Sequence, residues 1–301
     1  MRVKTHQLTW QTHRLELGPT TRIMGILNVT PNSFSDGGQF FAVDTAVAHA
    51  EKMIADGADI IDIGGESTRP FSEPVSAEEE CRRVLPVIEG LAGRLAVPIS
   101  IDTTKAAVAR QAISAGASII NDISALRFDP EMGRVAANTG ALVILMHMKG
   151  APADMQVAPA YDDLIGEVYQ FLSEAIERAE SYGIEKSKII IDPGIGFGKT
   201  VAHNLCLIQK LDEFQKLNVP ILLGSSRKAF IRKTLASGSS EPPPEAPAIT
   251  TGTQASITAG ILNGAHIVRV HEVGNTAATI KIADAIKTAC SSTAASCVLH
   301  A

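Results

Sequence analysis

The sequence predicts an α/β fold, a (β/α)8 barrel of the TIM type with a short N-terminal hairpin extension. Eight short runs rich in Ile and Val are spread through the chain, and stretches with helical spacing of apolar residues lie between them. Nearly continuous apolar character is typical of parallel strands that are covered on both faces. Eight evenly distributed units favour a closed barrel over a doubly wound open sheet, which is the main alternative. The predicted strands cover residues 23–27, 59–63, 99–101, 119–120, 141–146, 188–191, 220–223 and 267–270.

Helices are predicted between these runs. The stretch 43–56 has an apolar face, and Ser76 followed by Glu79 predicts a capping box at the start of the next helix. A Gly-Ala dipeptide comes just before four of the strands, where glycine ends a helix in the left-handed region and the chain returns to the sheet. The apolar face consists of Val47, Ala50, Met53 and Ile54, and the dipeptides begin at Gly57, Gly116, Gly140 and Gly264.

Two segments fall outside the repeat. Residues 1–20 are expected to form an N-terminal hairpin that closes the bottom of the barrel. Residues 237–248 are rich in Pro, Ser and Gly, and we expect them to form a flexible loop without regular structure. No second domain is predicted, so residues 1–301 are expected to form a single domain.

The composition excludes several classes of protein. Of 301 residues, 45% are hydrophobic and 20% are charged, which excludes a disordered or fibrous chain. The formal net charge is -5 and no cluster of Lys and Arg is present, so neither nucleic acid nor an acidic membrane is an expected partner. No signal peptide and no apolar stretch of about 18 residues is found. Four widely spaced cysteines indicate reduced thiols, and we expect a cytoplasmic protein.

Polar side chains follow every predicted strand. In a parallel barrel the carboxyl ends of the strands meet at one rim, which is where enzymes of this fold carry their active sites. One polar residue at a strand end is as often structural as functional, but polar residues at all eight ends indicate a ligand. These residues are Asn28, Glu66 to Arg69, Asp102, Asn121 with Asp122, His147, Asp192, Ser225 to Lys228, and Arg269 with His271.

The chemistry of these residues indicates two kinds of ligand group. Asp102, Asn121 and Asp192 suit a flat heterocycle with several N–H donors, because a carboxylate can accept two parallel N–H bonds. The cationic residues at the rim, helped by an amide, suit phosphate oxygens. These phosphate-binding candidates are Asn28, Arg69, Lys228, Arg269 and His271.

The glycine-rich segment 192–200 ends like a phosphate-binding P-loop but is not one. Pro193 stands where a Walker A motif needs its first glycine, and Lys199 stands where a Rossmann fingerprint needs its third. We therefore expect neither ATP nor NAD here. The glycines are expected to let the backbone approach a planar ligand, with Phe197 as a wall. The loops 30–40 and 67–76 are rich in Ser, Gly and Pro, and we expect them to act as lids.

Taken together, these motifs closely resemble the dihydropteroate synthases, the folate-pathway enzymes that sulfonamides inhibit. The resemblance extends in order over roughly residues 22–272. It is carried by Met24–Gly38, Asp62–Pro70, Ser100–Lys105, Ile120–Ile123, Leu145–Met148, Asp192–Lys199, Ser226–Lys228 and Val268–His271.

The resemblance implies a transferase with small-molecule substrates. It would condense 6-hydroxymethyl-7,8-dihydropterin pyrophosphate with p-aminobenzoate to give 7,8-dihydropteroate and pyrophosphate, with Mg2+ as cofactor. The expected displacement is SN1-like, since cationic side chains would draw off the diphosphate while the electron-rich pterin stabilises the methylene cation. A homodimer formed through the last helices is also implied.

The resemblance assigns roles residue by residue. It implies Asp102, Lys228, Arg269 and His271 as the catalytic residues. The implied pterin site consists of Asp102, Asn121, Met146, Asp192, Phe197, Gly224, Lys228 and Arg269. The implied p-aminobenzoate site consists of Phe34, Thr68, Pro70, Ser226 and Lys228. The implied diphosphate site consists of Asn28, Arg69, Arg269 and His271, with Asn28 also as the metal ligand.

One departure from the family pattern and two alternatives bear on this assignment. Ala229 stands where the family often has a serine that helps to hold the aminobenzoate carboxylate. A pterin-binding corrinoid methyltransferase is the enzymatic alternative, but it would not require the Ser-Thr-Arg-Pro loop or the clusters around Lys228 and Arg269. A non-catalytic pterin-binding protein is the other alternative, and polar residues at all eight strand ends argue against it.

Overall fold

A computed structural model of the chain describes residues 4–29, 38–67, 72–152, 155–236 and 245–289. In these ranges the strands are β1 His6–Trp10, β2 His13–Leu17, β3 Arg22–Asn28, β4 Ile60–Gly64, β5 Ile99–Asp102, β6 Ile119–Asp122, β7 Leu142–Met146, β8 Ile189–Asp192, β9 Leu222–Leu223 and β10 Ile267–Val270. The helices are α1 Gly38–Ala55, α2 Ala77–Leu91, α3 Ala106–Ala115, α4 Met132–Thr139, α5 Leu164–Ser181, α6 Val201–Gln209, α7 Ala229–Ala236, α8 Ala246–Leu262 and α9 Val273–Ala289. Lys186–Lys188 and Leu211–Leu217 form 3-10 helices.

The eight predicted strands form one parallel sheet, β3 to β10, that closes on itself. Neighbours in sequence pair from β3 to β8, β10 pairs with both β9 and β3, and the bridge between Ile191 and Ile221 joins the two ends. The predicted closed barrel is therefore confirmed, and the open sheet is excluded. The strand interiors are buried without alternation, as in β4 and β7, because helices cover their outer face.

The helices follow the predicted pattern with one difference. In α1, Val47 and Met53 of the predicted face are buried and Ile54 is half-buried. Ser76 caps α2 by accepting a hydrogen bond from the backbone N–H of Glu79 at 3.2 Å. The predicted capping box is only half formed, since the Glu79 carboxylate binds the guanidinium groups of Arg82 and Arg83 instead.

The N-terminal hairpin closes the lower end of the barrel, as predicted. Strands β1 and β2 pair antiparallel, and their apolar face packs against the residues that fill the amino-terminal half of the barrel. Trp10 and Leu17 are among the largest fully buried side chains of the described part. This cluster consists of Leu8, Trp10, Leu15, Leu17, Met24, Ile60, Ile119, Leu142, Ile144, Ile190, Leu222 and Ile267.

The Pro-rich segment differs from its prediction at its end. Residues 237–244 lie outside the described residues, but α8 begins at Ala246, so residues 246–248 are helical rather than irregular. Proline is compatible with the first turn of a helix, where its missing N–H has no intrahelical partner. Within the described ranges, no helix combines the length and the apolar character that crossing a membrane would require.

Candidate active site

Strand register places three of the predicted site residues, together with Gly64, side by side at the carboxyl rim. Asn28 pairs with Gly64, Gly64 with Asp102, and Asp102 with Asn121, so residues from β3 to β6 form one layer. Gly64 leaves room for its neighbours, because a Cβ atom there would lie 3.8 Å from both Asn28 Oδ1 and Asp102 Oδ2. The layer thus brings an amide oxygen and a carboxylate to one small space.

Arg269 of β10 reaches across the barrel to two carboxylates. Its Nε donates to Asp62 Oδ2 at 2.6 Å, and its Nη2 donates to Asp102 Oδ2 at 2.6 Å. Asn121 Nδ2 also donates to Asp62 Oδ2, at 3.1 Å. The site therefore contains a connected group of two acids, one amide and one guanidinium, drawn from β4, β5, β6 and β10.

Burial and charge set the protonation behaviour of this group. Burial raises the pKa of Asp102 to about 7, a rise that the Arg269 guanidinium opposes and the Asp62 carboxylate reinforces. Burial on its own would lower the pKa of Arg269, but the Asp62 and Asp102 carboxylates outweigh it and raise that pKa above its usual range. Arg269 therefore stays charged, whereas Asp102 can take up a proton near neutral pH.

Asp192 ends β8 on another side of the same space. Its Oδ1 accepts a hydrogen bond from the backbone N–H of Gly194 at 2.7 Å, and burial raises its pKa. Gly224 faces it, because a Cβ atom at Gly224 would lie 3.7 Å from Asp192 Oδ2 and 4.0 Å from Arg269 Cβ. The second carboxylate oxygen of Asp192 thus borders the region between β8, β9 and β10.

Lys228 and Phe197 contact each other beside Asp192. The Nζ of Lys228 lies 4.0 Å from the centre of the Phe197 ring, which is cation–π geometry. Burial and the nearby Arg269 lower the pKa of Lys228 to about 8, while Asp192 opposes this. Phe197 also belongs to an apolar cluster with Met146, so the polar groups have an apolar wall on one side.

The glycines of segment 192–200 make room for the chain's own atoms. A Cβ atom at Gly194 would lie 1.8 Å from the His147 carbonyl oxygen, and one at Gly196 would lie 2.9 Å from Lys228 Cδ. Both glycines have positive φ, 73° and 84°. The sequence did not predict that the backbone at Gly194 and Gly196 packs closely against His147 and Lys228.

Lys199 and His147 form a buried pair behind Phe197. Lys199 Nζ lies 2.9 Å from His147 Nδ1 and donates to the Phe197 carbonyl oxygen at 2.9 Å. Burial lowers the pKa of Lys199 to about 7, an effect that Asp192 opposes and Lys228 reinforces. Burial and the charges of Lys199 and Arg127 lower the pKa of His147 to about 2, so the imidazole is neutral. The pair links the wall residue Phe197 to the end of β7.

Ser226 and His271 meet at the end of β10. Ser226 Oγ lies 2.9 Å from His271 Nδ1 and accepts from the His271 backbone N–H at 3.3 Å. The loop that follows β9 is thereby joined to β10. Of the predicted residues, Phe34, Thr68, Arg69 and Pro70 lie outside the described residues.

A second charged cluster lies below the loop that follows β4. Lys105 Nζ donates to Glu66 Oε2 at 2.6 Å and to the fully buried Glu80 at 2.7 Å. Glu66 Oε1 accepts from the Val75 backbone N–H at 2.8 Å. Glu66 therefore connects the two ends of segment 66–75 and ties them to the residue that precedes α3.

The donor set near Asn28 suits a hard divalent cation. No group of three or more His, Cys, Asp or Glu side chains that could hold a metal is present in the ranges that the structure describes. Mg2+ commonly uses one or two protein oxygens and completes its shell with water and substrate phosphates. The Asn28 amide oxygen beside the Asp102 carboxylate fits this mode of binding.

Sequence reasoning missed Asp62, Lys199 and Glu66 as parts of the site. Asp62 carries a recognisable signal, because a carboxylate inside a run of isoleucines is fully buried only when it is paired. In the sequence analysis, Lys199 was compared only with the P-loop and Rossmann patterns, and Glu66 was one of several polar residues at a strand end. Their partners, His147 and Lys105, are far away in sequence.

Comparisons with known proteins show which family this chain resembles in sequence and in fold. Residues 24–271 match the family described as pterin binding enzyme. Dihydropteroate synthase of Synechocystis sp. is 49% identical over 269 residues, which cover 89% of this chain and 91% of that relative. A crystal structure of Yersinia pestis dihydropteroate synthase with a sulfonamide drug superposes with a TM-score of 0.85 at 44% identity, covering 94% and 99% of the two chains. Xanthomonas albilineans dihydropteroate synthase with 4-aminobenzoic acid has a TM-score of 0.85 at 42% identity, again covering 94% and 99%.

Proposed function

This chain belongs to the dihydropteroate synthase family of pterin-binding enzymes, and from that premise we propose how its site joins the two substrates. The enzyme condenses 6-hydroxymethyl-7,8-dihydropterin pyrophosphate with p-aminobenzoate, giving 7,8-dihydropteroate and pyrophosphate. One observation supports the assignment of residues most strongly. Arg269, Asp62, Asp102 and Asn121 form a connected polar group at the barrel rim, and Asp192 and Lys228 border the same space.

Hydrogen-bond acceptors bind the edge of the pterin ring. The carboxylates of Asp102 and Asp192 accept N–H bonds from the ring and its amino group, and Asn121 adds an amide. Met146 and Phe197 cover the ring from their apolar cluster, and Gly224 leaves space beside Asp192. Lys228 donates to the ring and borders the aminobenzoate.

The diphosphate is held by cations and amides. Arg269 keeps its charge and lies between the pterin edge and the rim, where His271 and Asn28 add further contacts. Arg69 belongs to the same site in this proposal. Binding the diphosphate at cationic groups stabilises the charge that develops when the C–O bond to it breaks.

The reaction needs no strong base. The C–O bond to the diphosphate breaks first, and the methylene cation is stabilised by the electron-rich pterin and the neighbouring carboxylates. The aminobenzoate nitrogen then forms the new C–N bond to the methylene carbon and gives one of its protons to the released pyrophosphate. An arylamine is uncharged at neutral pH, so the chain's main task is to align the two substrates. Ser226 and Lys228, together with Phe34, Thr68 and Pro70, form the proposed aminobenzoate site.

Mg2+ is the proposed cofactor, and Asn28 is its proposed ligand from this chain. When bound, the ion neutralises charge on the diphosphate. Asn28 would supply one oxygen ligand to the ion, and substrate and water would supply the others. The proposal is supported by the position of the Asn28 side chain next to Asp102.

We further propose that the enzyme is a cytoplasmic homodimer. Leu262, Ile282 and Ile286 expose large apolar side chains on α8 and α9, and Ile282 is 65% exposed. Such side chains are suited to an interface between two copies of the chain. Cys81 and Cys206 are free thiols, as is usual in a reducing compartment. Sedimentation should give a dimer, and Ile282→Glu should shift it toward the monomer.

An assay of the purified protein tests the function. Dihydropterin pyrophosphate, Mg2+ and p-aminobenzoate are supplied, and dihydropteroate and pyrophosphate are followed together. Both should form in equal amounts and only with all substrates present. Asp192→Asn should lose most of the activity because the pterin loses a charged acceptor, whereas Asp44→Asn, at an exposed position of α1, should retain it. Pterin binding without either product would contradict the synthase function.

A further inference from the structure

Asp62 is a fully buried carboxylate in the middle of the polar group at the rim. Its Oδ2 accepts two hydrogen bonds, from Arg269 Nε at 2.6 Å and from Asn121 Nδ2 at 3.1 Å. Its Oδ1 is buried and has no hydrogen-bond partner among the described residues. Both of these hydrogen bonds come from side chains that belong to the proposed site.

The bond to Asp62 determines which way the Asn121 amide faces. A carboxylate can only accept, so the Asn121 nitrogen must be the atom that points at Asp62. The Asn121 carbonyl oxygen is thereby turned away from Asp62, and one amide N–H remains for a ligand. Asn121 pairs with Asp102 across β6 and β5, so the two residues lie next to each other at the rim.

The same carboxylate determines the plane of the Arg269 guanidinium. Asp62 binds Nε and Asp102 binds Nη2, so the planar group is held at two of its three nitrogens. A guanidinium held in this way has lost its freedom to rotate before any substrate arrives, and that loss lowers the entropic cost of binding. One carboxylate therefore orients a residue of the pterin site and a residue of the diphosphate site.

Burial of Asp62 is unfavourable for stability alone. A buried carboxylate with one unpaired oxygen loses hydration that its hydrogen bonds only partly replace. Asp122, two strands away in the sheet, provides the contrast. It is also buried, but its two oxygens accept from the backbone N–H groups of Ser124 and Leu126, so it stabilises a turn.

We propose that Asp62 is a positioning residue that fixes the Asn121 amide and the Arg269 guanidinium for the pterin diphosphate. The proposal rests on the proposed function, because it deepens the account of the same site. Asp62 itself touches neither substrate in this account. It acts through its two partners, so its effect on binding must disappear when those partners are absent.

Two substitutions at Asp62 separate positioning from a structural role. Asp62→Leu removes both acceptor oxygens in a side chain of similar size, and Asp62→Asn retains one acceptor oxygen without the charge. The dissociation constant is measured for 6-hydroxymethyl-7,8-dihydropterin, with and without its diphosphate. We expect Asp62→Leu to weaken binding of the bare pterin by at least about tenfold and Asp62→Asn to recover part of that loss.

Double-mutant cycles give the decisive comparison. In a background that carries both Asn121→Ala and Arg269→Met, Asp62→Leu should change the affinity for the bare pterin less than about twofold. In an Arg269→Met background, Asp62→Leu should leave unchanged the factor by which the diphosphate increases pterin affinity. Asp122→Asn is the matched control, expected to lower the melting temperature without weakening pterin binding. If Asp62→Leu does not fold, the same cycles are run with Asp62→Asn.

Three results would overturn the proposal. The first is unchanged pterin affinity in Asp62→Leu, or in Asp62→Asn where that variant replaces it. The second is the same loss of affinity with and without Asn121 and Arg269. The third is a loss that Asp122→Asn reproduces. Because these measurements use binding alone, they remain decisive if the wild-type protein binds pterin but forms no dihydropteroate, a result that would contradict only the proposed function.

Discussion

Lys199 Nζ lies 2.9 Å from Nδ1 of His147, in the buried space behind the glycine-rich segment. A protonated lysine can only donate, so in that state the imidazole accepts at Nδ1 and carries its proton on Nε2. The same lysine donates to the Phe197 carbonyl oxygen, so a titratable amine supports the apolar wall of the proposed pterin site.

The Lys199 amine should make stability depend on pH. Its pKa falls from 10.5 to about 7 on folding, so between these values the unfolded chain binds a proton that the folded chain does not. The free energy of unfolding should therefore rise with pH over this range, by up to about 1.4 kcal/mol per pH unit from this group. Urea denaturation at several pH values should show a shallower rise for Lys199→Met. Lys210→Met, at an exposed position, should keep the wild-type slope.

Pterin binding should weaken in acid because of Asp102. The pKa of Asp102 is raised to about 7, and the protonated group cannot accept two N–H bonds. The dissociation constant of the bare pterin should therefore rise by up to about tenfold per pH unit below pH 7. Asp102→Asn should bind the bare pterin weakly at every pH, and its dissociation constant should change less with pH below pH 7. If the dissociation constant of Asp102→Asn rose as steeply below pH 7 as that of the wild type, another group would be responsible for the pH dependence.

Gly196→Ala should impair binding through Lys228. The new Cβ atom would lie 2.9 Å from Lys228 Cδ, which pushes the lysine from its place on the Phe197 ring. Gly183→Ala is the matched control, since Gly183 also has positive φ, at 90°, and nothing lies within 4 Å of its new Cβ. Both variants should lose about 1 kcal/mol of stability from backbone strain. KM for both substrates should rise only in Gly196→Ala; equal KM values in the two variants would argue against the contact.

Ala229→Ser should improve the use of p-aminobenzoate. The dihydropteroate synthases often carry serine at this position, and a hydrogen bond to a charged carboxylate is worth about 1.5–3 kcal/mol. Ala229 is the first residue of α7 and follows Lys228, a residue of the proposed aminobenzoate site. KM for p-aminobenzoate should fall by at least about tenfold, while KM for the pterin substrate should stay the same. An unchanged KM for p-aminobenzoate would mean that this position does not face the carboxylate.

Lys105→Met should destabilise the chain because it leaves Glu80 without its cation. Glu80 is fully buried, its pKa is raised by burial, and Lys105 is its ion-pair partner. Breaking a buried pair by removing one partner typically costs about 3–5 kcal/mol. Denaturation should show this loss, and the double substitution Lys105→Met with Glu80→Gln should recover part of it. Similar stability of the single and double variants would indicate that Glu80 is already neutral.

The sequence was informative where structure is local and repetitive. Eight apolar runs, the C-terminal end of α1 and the hairpin were predictable, because strand burial and helix periodicity produce patterns within a few residues. The start of α1 was not, since the helix begins at Gly38 and its prediction began at residue 43. The start of α8 at Ala246 was missed, since a Pro-rich composition argues against a helix except in its first turn. The Glu79 carboxylate does not complete the predicted capping box, because it forms ion pairs with two arginines of the same helix.

The polar set at the rim was predictable as residue types but not as pairs. Asp62 and Arg269 are 207 positions apart, and only closure of the barrel makes them neighbours. The same applies to Lys199 and His147, which are 52 positions apart. A sequence shows that acids and cations end the strands, whereas which cation binds which acid depends on strand register and on side-chain reach.

Closure of the barrel also sets the order in which the site can be completed during synthesis. The ribosome releases β3 to β6, with Asp62, Asp102 and Asn121, long before β10 with Arg269. Until β10 inserts between β3 and β9, Asp62 and Asp102 lack the Arg269 guanidinium and the sheet has an open edge. A nascent chain must therefore hold two unpaired strand edges in a soluble state until residue 270 emerges, which is the interval in which chaperones are most useful to it.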